Sequence, residues 1–547
     1  MSKRSRLKNL SANPDAPLTH ECHKKPVSRR EFIAQGFRAG TATLLGTSAL
    51  SLLGERAHAI SPDLLDKYYN PASCDLANVA GRKIPFVCFD LAGGANIAGS
   101  NVLVGGFAGQ RDALSTAGYT KLGVPPDFLP QNQNPNNADS NDFVNDRLGL
   151  LFHSESAMLR GILERAGEDT QAGVNGAVIP CRSDNDTGNN PHNPTYGIYQ
   201  AGARGQLLQL IGSSASVSGG NSMAPAMMID PELRPTKIDR PSDASGLVDV
   251  GDLNQILSDP ADVVAVMESM KRITDMRLDL SKTMMPGQED QRLKERISCE
   301  YLKSADTLER FSNPAELDPS IDPNIVGANG IFTADEFASD REFRKTASVM
   351  KLVMDGRAAA GTITLGGYDY HTGDRRTGES RDLRAGRCIG AVLEYARRVN
   401  TPVMIYVFSD GSVASNGTIE VVDSISGRID KGVWSGDNSS TGASFFLVYD
   451  PSGQPQLLDT GPNDTARHQQ IGWMRPDASV DTAATPAANN VNLLVETVVL
   501  NYMALHGDEG LFDAFFPSQG LGSAERRLAY TAFNKLASVG ATGTLNG

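Results

Sequence analysis

Four apolar runs in this sequence lead into acidic, imidazole or carboxamide side chains, the groups that hold metal ions and move protons. The first, Ile84-Pro-Phe-Val-Cys-Phe-Asp90, carries a carboxylate inside the run and Asn96 in the glycine-rich loop after it. The second, Gly176 to Pro180, leads through a polar stretch to His192 and Thr195. The third gives Asp369 and His371 in Gly366-Gly-Tyr-Asp-Tyr-His371, and the fourth ends at Asp410. Asp437 follows in the loop before a further apolar run. Brought together, such groups make a mostly oxygen site for one divalent metal ion, hard or borderline rather than thiolate-loving. Singly, an Asp at a strand end is also a common turn former or helix cap, so the expectation depends on convergence. Asp369 with His371 carries the most weight, because only five histidines occur beyond residue 59.

Convergence requires elements that bring distant segments to one place. Strands are expected over 84–90, 176–180, 362–365, 402–410 and 443–449. Helices are expected over 155–166, 195–211, 335–354, 382–399 and 491–506, with a helical hairpin over 259–312 broken at Pro286-Gly287. Apolar runs ending in Gly/Asp loops and separated by helices describe an α/β fold, a mostly parallel sheet with helices on both faces. In such a sheet ligands gather at the carboxyl ends of the strands, where the candidate residues fall.

The first 59 residues differ from the rest. Ser28-Arg29-Arg30-Glu31-Phe32-Ile33 is a twin-arginine pattern, followed by an uncharged run from Ala39 to Gly54 and a small-x-small site at Ala57-His58-Ala59. This order is that of an export leader over 1–59, cleaved near Ile60. It implies the twin-arginine translocase as a partner and a periplasmic or secreted destination for a single domain over 60–547. The run is shorter than the ~20 apolar residues of a spanning helix, and no longer one follows, so the mature form is not expected to span a membrane. Those 59 residues hold ten Lys/Arg and four Asp/Glu, leaving 41 and 60 beyond them, a net of −19. So acidic a body repels phosphate backbones and argues against nucleic acid. Six scattered cysteines without a CxxC spacing argue against a zinc ribbon or thioredoxin chemistry; buried free thiols are the expected state, with one or two disulfides, Cys74 with Cys88 being the closest pair, as the alternative.

The stretches Gly93-Gly-Ala-Asn96, Gly366-Gly-Tyr-Asp-Tyr-His371, Ser409-Asp-Gly411 and Gly436-Asp-Asn438, in this order behind a twin-arginine leader, resemble the DUF1501 proteins. That family is thought to be related to alkaline phosphatases and sulfatases. The resemblance spans roughly residues 84–515 and implies an alkaline phosphatase-like fold with metal at Asp369, His371, Asp410, Asp437 and the position of Asn96. The nucleophile of active relatives sits at a helix start beside the metals. Here the comparable place is His192-Asn193-Pro194-Thr195, with Thr195 as the hydroxyl and His192 beside it. The sequence also departs from the pattern. Asn96 stands where the family has Asp, no Arg follows Asp410, and Asn438 stands where the family has His. Two readings follow: an exported binding or assembly scaffold that has lost catalysis, or a metal-dependent hydrolase of phosphate or sulfate esters.

Overall fold

The computed structural model describes residues 82–137, 139–183, 190–248, 260–280, 314–421, 430–461 and 464–545, with isolated positions between 287 and 297. The twin-arginine leader, its cleavage site and Pro286 lie outside them. Strands run in chain order as β1 (Phe86–Ala92), β2 (Val144–Leu148), β3 (Leu150–His153), β4 (Val174–Pro180), β5 (Leu208–Gly212), β6 (Thr236–Lys237), β7 (Ala358–Gly366), β8 (Val403–Ser409), β9 (Val413–Val421), β10 (Asp430–Asp437) and β11 (Ala443–Tyr449). The main helices are α1 (Ala157–Arg165), α2 (Thr195–Gln200), α3 (Pro260–Leu280), α4 (Arg341–Met354), α5 (Arg376–Arg398) and α6 (Val491–Ala504). Helix α3 lies within the segment expected as a helical hairpin, the rest of which falls largely outside the described residues. It is assigned to a different compact unit from the one that carries the sheet.

Seven strands form the central sheet in the order β4-β11-β8-β1-β7-β5-β6. β1 pairs parallel with both β7 and β8, and β5 pairs parallel with β7 and β6. β11 alone runs against its neighbours, β8 and β4. The reason lies in the β9–β10 ribbon, an antiparallel pair that carries the chain away from the end of β8 and back to the same rim. The chain then enters β11 from that rim, so the strand must run downward.

Both faces of the sheet are covered, which is why β1, β4 and β8 are almost wholly buried along their length. On one face α6 packs its apolar surface against Phe86 and Cys88, and Phe86 meets Tyr502 edge to face at 5.9 Å. On the other, α4 and α5 lie against β7 and β8. Helix α5 also crosses α1 at backbone distance: a Cβ on Gly386 would stand 2.0 Å from the Met158 carbonyl oxygen, and one on Gly161 2.2 Å from that of Leu383.

Two expected helices are corrected. The helix expected over 195–211 stops at Gln200, because Gly202 takes a positive φ of 100° and the apolar run Leu208–Gly212 pairs with β7 as a strand. The helix expected over 335–354 is two, Ala334–Ser339 and α4, divided at Asp340, whose extended backbone closes the first and whose carboxylate caps the second. Among the described residues no helix is long and apolar enough to cross a membrane. Cys88, Cys181 and Cys388 are buried, and among the described residues none is joined to another cysteine.

Candidate functional site

All the parallel strands deliver their carboxyl ends to one rim, together with the end of β4 and the turn that enters β11. The loop after β1 is gripped there by β8. Ser409 donates its Oγ hydrogen to the Leu91 carbonyl at 2.6 Å and accepts from the Ala95 N–H at 2.8 Å. Asp410 Oδ1 accepts from the Gly93 N–H at 2.7 Å. Gly93 has a φ of +120°, and a Cβ there would lie 2.7 Å from the Asp369 backbone nitrogen. Only glycine lets the β1 and β7 loops close on each other in this way. Gly93 therefore has Asp410 on one side and Asp369 on the other.

The predicted residues divide into three places along the rim. Asp369, His371 and Asp437 form a surface group: His371 Nε2 lies 2.6 Å from Asp369 Oδ1 and 3.7 Å from Asp437 Oδ1. Their side chains are 73%, 34% and 49% exposed for Asp369, His371 and Asp437. β10 positions Asp437, and that strand is anchored below by a buried ion network. Glu379 accepts from Arg375 at 2.8 Å and from Lys431 at 2.6 Å, while the Arg375 guanidinium covers the Trp434 ring at 4.3 Å. Burial alone would raise the Glu379 carboxyl, yet Lys431 and Arg375 together hold it down at about 2.

The second place is an acid pair beneath the surface. Asp410 is buried, and so is Asp90 on β1, a residue noted within its strand but not counted among the ligands. Asp90 Oδ2 accepts from the backbone N–H groups of Asn221 and Ser222, at 2.6 and 2.9 Å. The Asn221 side-chain amide reaches across to Asp410 Oδ2 at 3.2 Å. Burial pushes the Asp90 carboxyl up to about 7, the nearby Asp410 charge adds to the rise, and the donors from Ser222 and Asn221 oppose it.

The third place holds Thr195 and His192. Thr195 is fully buried, and its hydroxyl donates to Asn193 Oδ1 at 2.8 Å. Asn193 is itself fixed, donating to Thr362 Oγ1 and to the Ser218 carbonyl. His192 stacks flat on Phe408 with its Nε2 3.0 Å from Ser183 Oγ. Ser183 gives its own hydrogen to the Asp410 carbonyl, so His192 must donate from Nε2 and Nδ1 is left as a buried acceptor without a partner. Burial pushes this imidazole down to about 3. It is neutral, and its side-chain hydrogen bond goes to Ser183 and not to Thr195.

Asn96 does not face the acid pair. Its side-chain oxygen accepts from Ser100, its backbone N–H donates to Tyr370 Oη, and its Nδ2 is buried without a partner. Asn438 caps the short turn at Ser440 rather than pointing into the rim. Asn221, Ser222 and Ser183 escaped the sequence reading, and Asn193 was named there without a role; the signal available for the first two was the Ser/Gly-rich run 213–222.

A divalent ion needs several oxygen or imidazole ligands around one point. Among the described residues no group of three or more His, Cys, Asp or Glu is arranged in that way. Each of the four oxygens of the Asp90–Asp410 pair already faces a hydrogen-bond donor, the fourth being Asp90 Oδ1 with Ser222 Oγ at 3.4 Å. In this arrangement the residues do not fit a metal. Comparison with family models, curated proteins and solved structures finds no match to this chain.

Proposed function

We propose that this chain is an exported, alkaline phosphatase-like protein of the DUF1501 type that binds at the rim of its sheet and does not hydrolyse esters. The observation that carries the reading is the state of Thr195. Its hydroxyl is buried and committed to Asn193, and His192 makes its side-chain hydrogen bond to Ser183 rather than to Thr195. A nucleophile needs both access and a base within hydrogen-bond reach. The exposed, acidic surface group of Asp369, His371 and Asp437 supplies the binding face in this reading, suited to cationic or hydrogen-bond-donating partners. The leader pattern at Ser28–Ile33 supports export through the twin-arginine translocase to the periplasm or beyond.

Mass spectrometry on the intact protein tests the reading. After incubation with aryl phosphate or aryl sulfate and rapid acid quench, no phosphoryl or sulfuryl adduct is expected on Thr195. An adduct at that residue contradicts it. The ester-hydrolase alternative draws on the convergence of Asp369, His371 and Asp437 at one rim, and needs an attacking group other than Thr195 as it stands.

A further inference from the structure

The loop from Ser213 to Ser222, between β5 and β6, contains five serines and two glycines and closes over the acid pair. It is organised by its own bonds. The Ser214 N–H donates to the Gly219 carbonyl at 3.0 Å, the Ser216 hydroxyl to the Gly220 carbonyl at 2.6 Å, and the Ser218 hydroxyl to the Ser222 carbonyl at 2.5 Å. Gly219 has a φ of +74°, and a Cβ on Gly220 would lie 2.7 Å from Asp90 Oδ2. Only a glycine at 220 lets the loop descend far enough for the next two N–H groups to reach Asp90. Beyond it, Asn221 joins both carboxylates, by its backbone to Asp90 and by its side chain to Asp410.

Two buried carboxylates side by side repel each other and lack the hydration that would screen them. Such a pair needs positive charge or hydrogen-bond donors. We infer that the strap is a built-in plug: the donors of Asn221 and Ser222 stand where a divalent cation would neutralise Asp90 and Asp410, and they close the pair to metal. This deepens the non-catalytic reading above and rests on it. Asn221 lies on the solvent side of the pair, being exposed while Ser222 is buried, so the plug is lifted from outside without unpacking the sheet.

Mn2+ is the probe, with free ion followed by electron paramagnetic resonance and melting temperature measured in parallel. Asn221→Ala removes, at an exposed position, the amide that donates to Asp410 Oδ2, and leaves the Gly93 N–H on Oδ1. Gly220→Ala pushes the strap off Asp90. Asp90→Asn in the Asn221→Ala background removes the pair itself. The expected result is no saturable Mn2+ binding by the wild-type chain, binding at least ~10-fold tighter by Asn221→Ala or Gly220→Ala with a raised melting temperature, and its loss in the double variant. Equal Mn2+ affinity in wild type and Asn221→Ala, or none in either strap variant, overturns the plug. Should Asn221→Ala bind Mn2+ and also hydrolyse aryl phosphate, the plug stands and the non-catalytic reading falls.

Discussion

Three histidines are buried in neutral forms that burial keeps from taking a second proton until well below the usual imidazole range, and this makes the fold sensitive to mild acid. His506 is the clearest. Its Nε2 accepts the Ile84 N–H at 2.9 Å and its Nδ1 donates to the Tyr502 carbonyl at 2.7 Å, so a proton on Nε2 would confront a donor. Burial holds His506 and His192 at about 3 and His153 at about 4, against 6.5 in the unfolded chain. Because these values are depressed, the stability they contribute is whole above pH 6.5 and is lost as pH falls below it, when the unfolded chain takes up protons that the fold refuses. Asp90 and Asp382 act oppositely. Both are pushed by burial to about 7 from 3.8, so between those values the fold holds their protons and the unfolded chain does not. Three protons taken up on unfolding against two released leave one. The slope starts near zero at pH 6.5, where the unfolded histidines are only half charged, and approaches ~1.4 kcal/mol per pH unit near pH 5, so about 1 kcal/mol is lost between pH 6.5 and 5. Glutamates held low, such as Glu379, enter only below 4.5. Urea unfolding midpoints at half-unit pH steps measure this directly. The wild-type midpoint is expected to fall across that range, while His506→Gln, which removes one of the three, flattens it. A wild-type midpoint that stays level or rises on acidification, or an unaltered slope in His506→Gln, refutes the proton count.

Gly386→Ala is expected to destabilise by about 1–3 kcal/mol in urea despite the ~1 kcal/mol that alanine gains in a helix, because its Cβ meets the Met158 carbonyl. Gly436→Ala, with open space around it, serves as the neutral control. Glu379→Gln strands Arg375 and Lys431 in a buried site and is expected to cost about 3–5 kcal/mol by the same measurement. A chain in which Cys22, Cys74 and Cys299 are replaced by serine leaves Cys88, Cys181 and Cys388. Burial raises the thiols of Cys88 and Cys388, so no reaction with a thiol reagent is expected until denaturant is added.

The sheet was legible where strands are buried on both faces, since β1, β8 and β11 are continuous apolar runs. The direction of β11 was not, because it is set by β9 and β10, whose polar sequences Val-Ala-Ser-Asn-Gly and Trp-Ser-Gly-Asp resemble loop. At the rim, Asp369 and His371 were legible because they follow the end of an apolar strand, and Asp437 because it precedes one, although it ends β10 rather than lying in a loop. The partner of Asp410 was missed. Asp90 and Asn221 are 131 positions apart, and only the folded chain shows a serine–glycine loop meeting a carboxylate inside a strand. Thr195 was placed correctly at a helix start, but its burial depends on Asn193 reaching across to Thr362.

The central claim is that the rim binds without turning over esters. Its most direct measurement is product release from aryl phosphate and aryl sulfate by the leaderless protein, with Mg2+, Ca2+, Mn2+ and Zn2+ each supplied, beside Thr195→Val and Asp410→Asn. The account expects one common background rate in all three proteins with every ion. Turnover by the wild-type chain that disappears in Thr195→Val contradicts it.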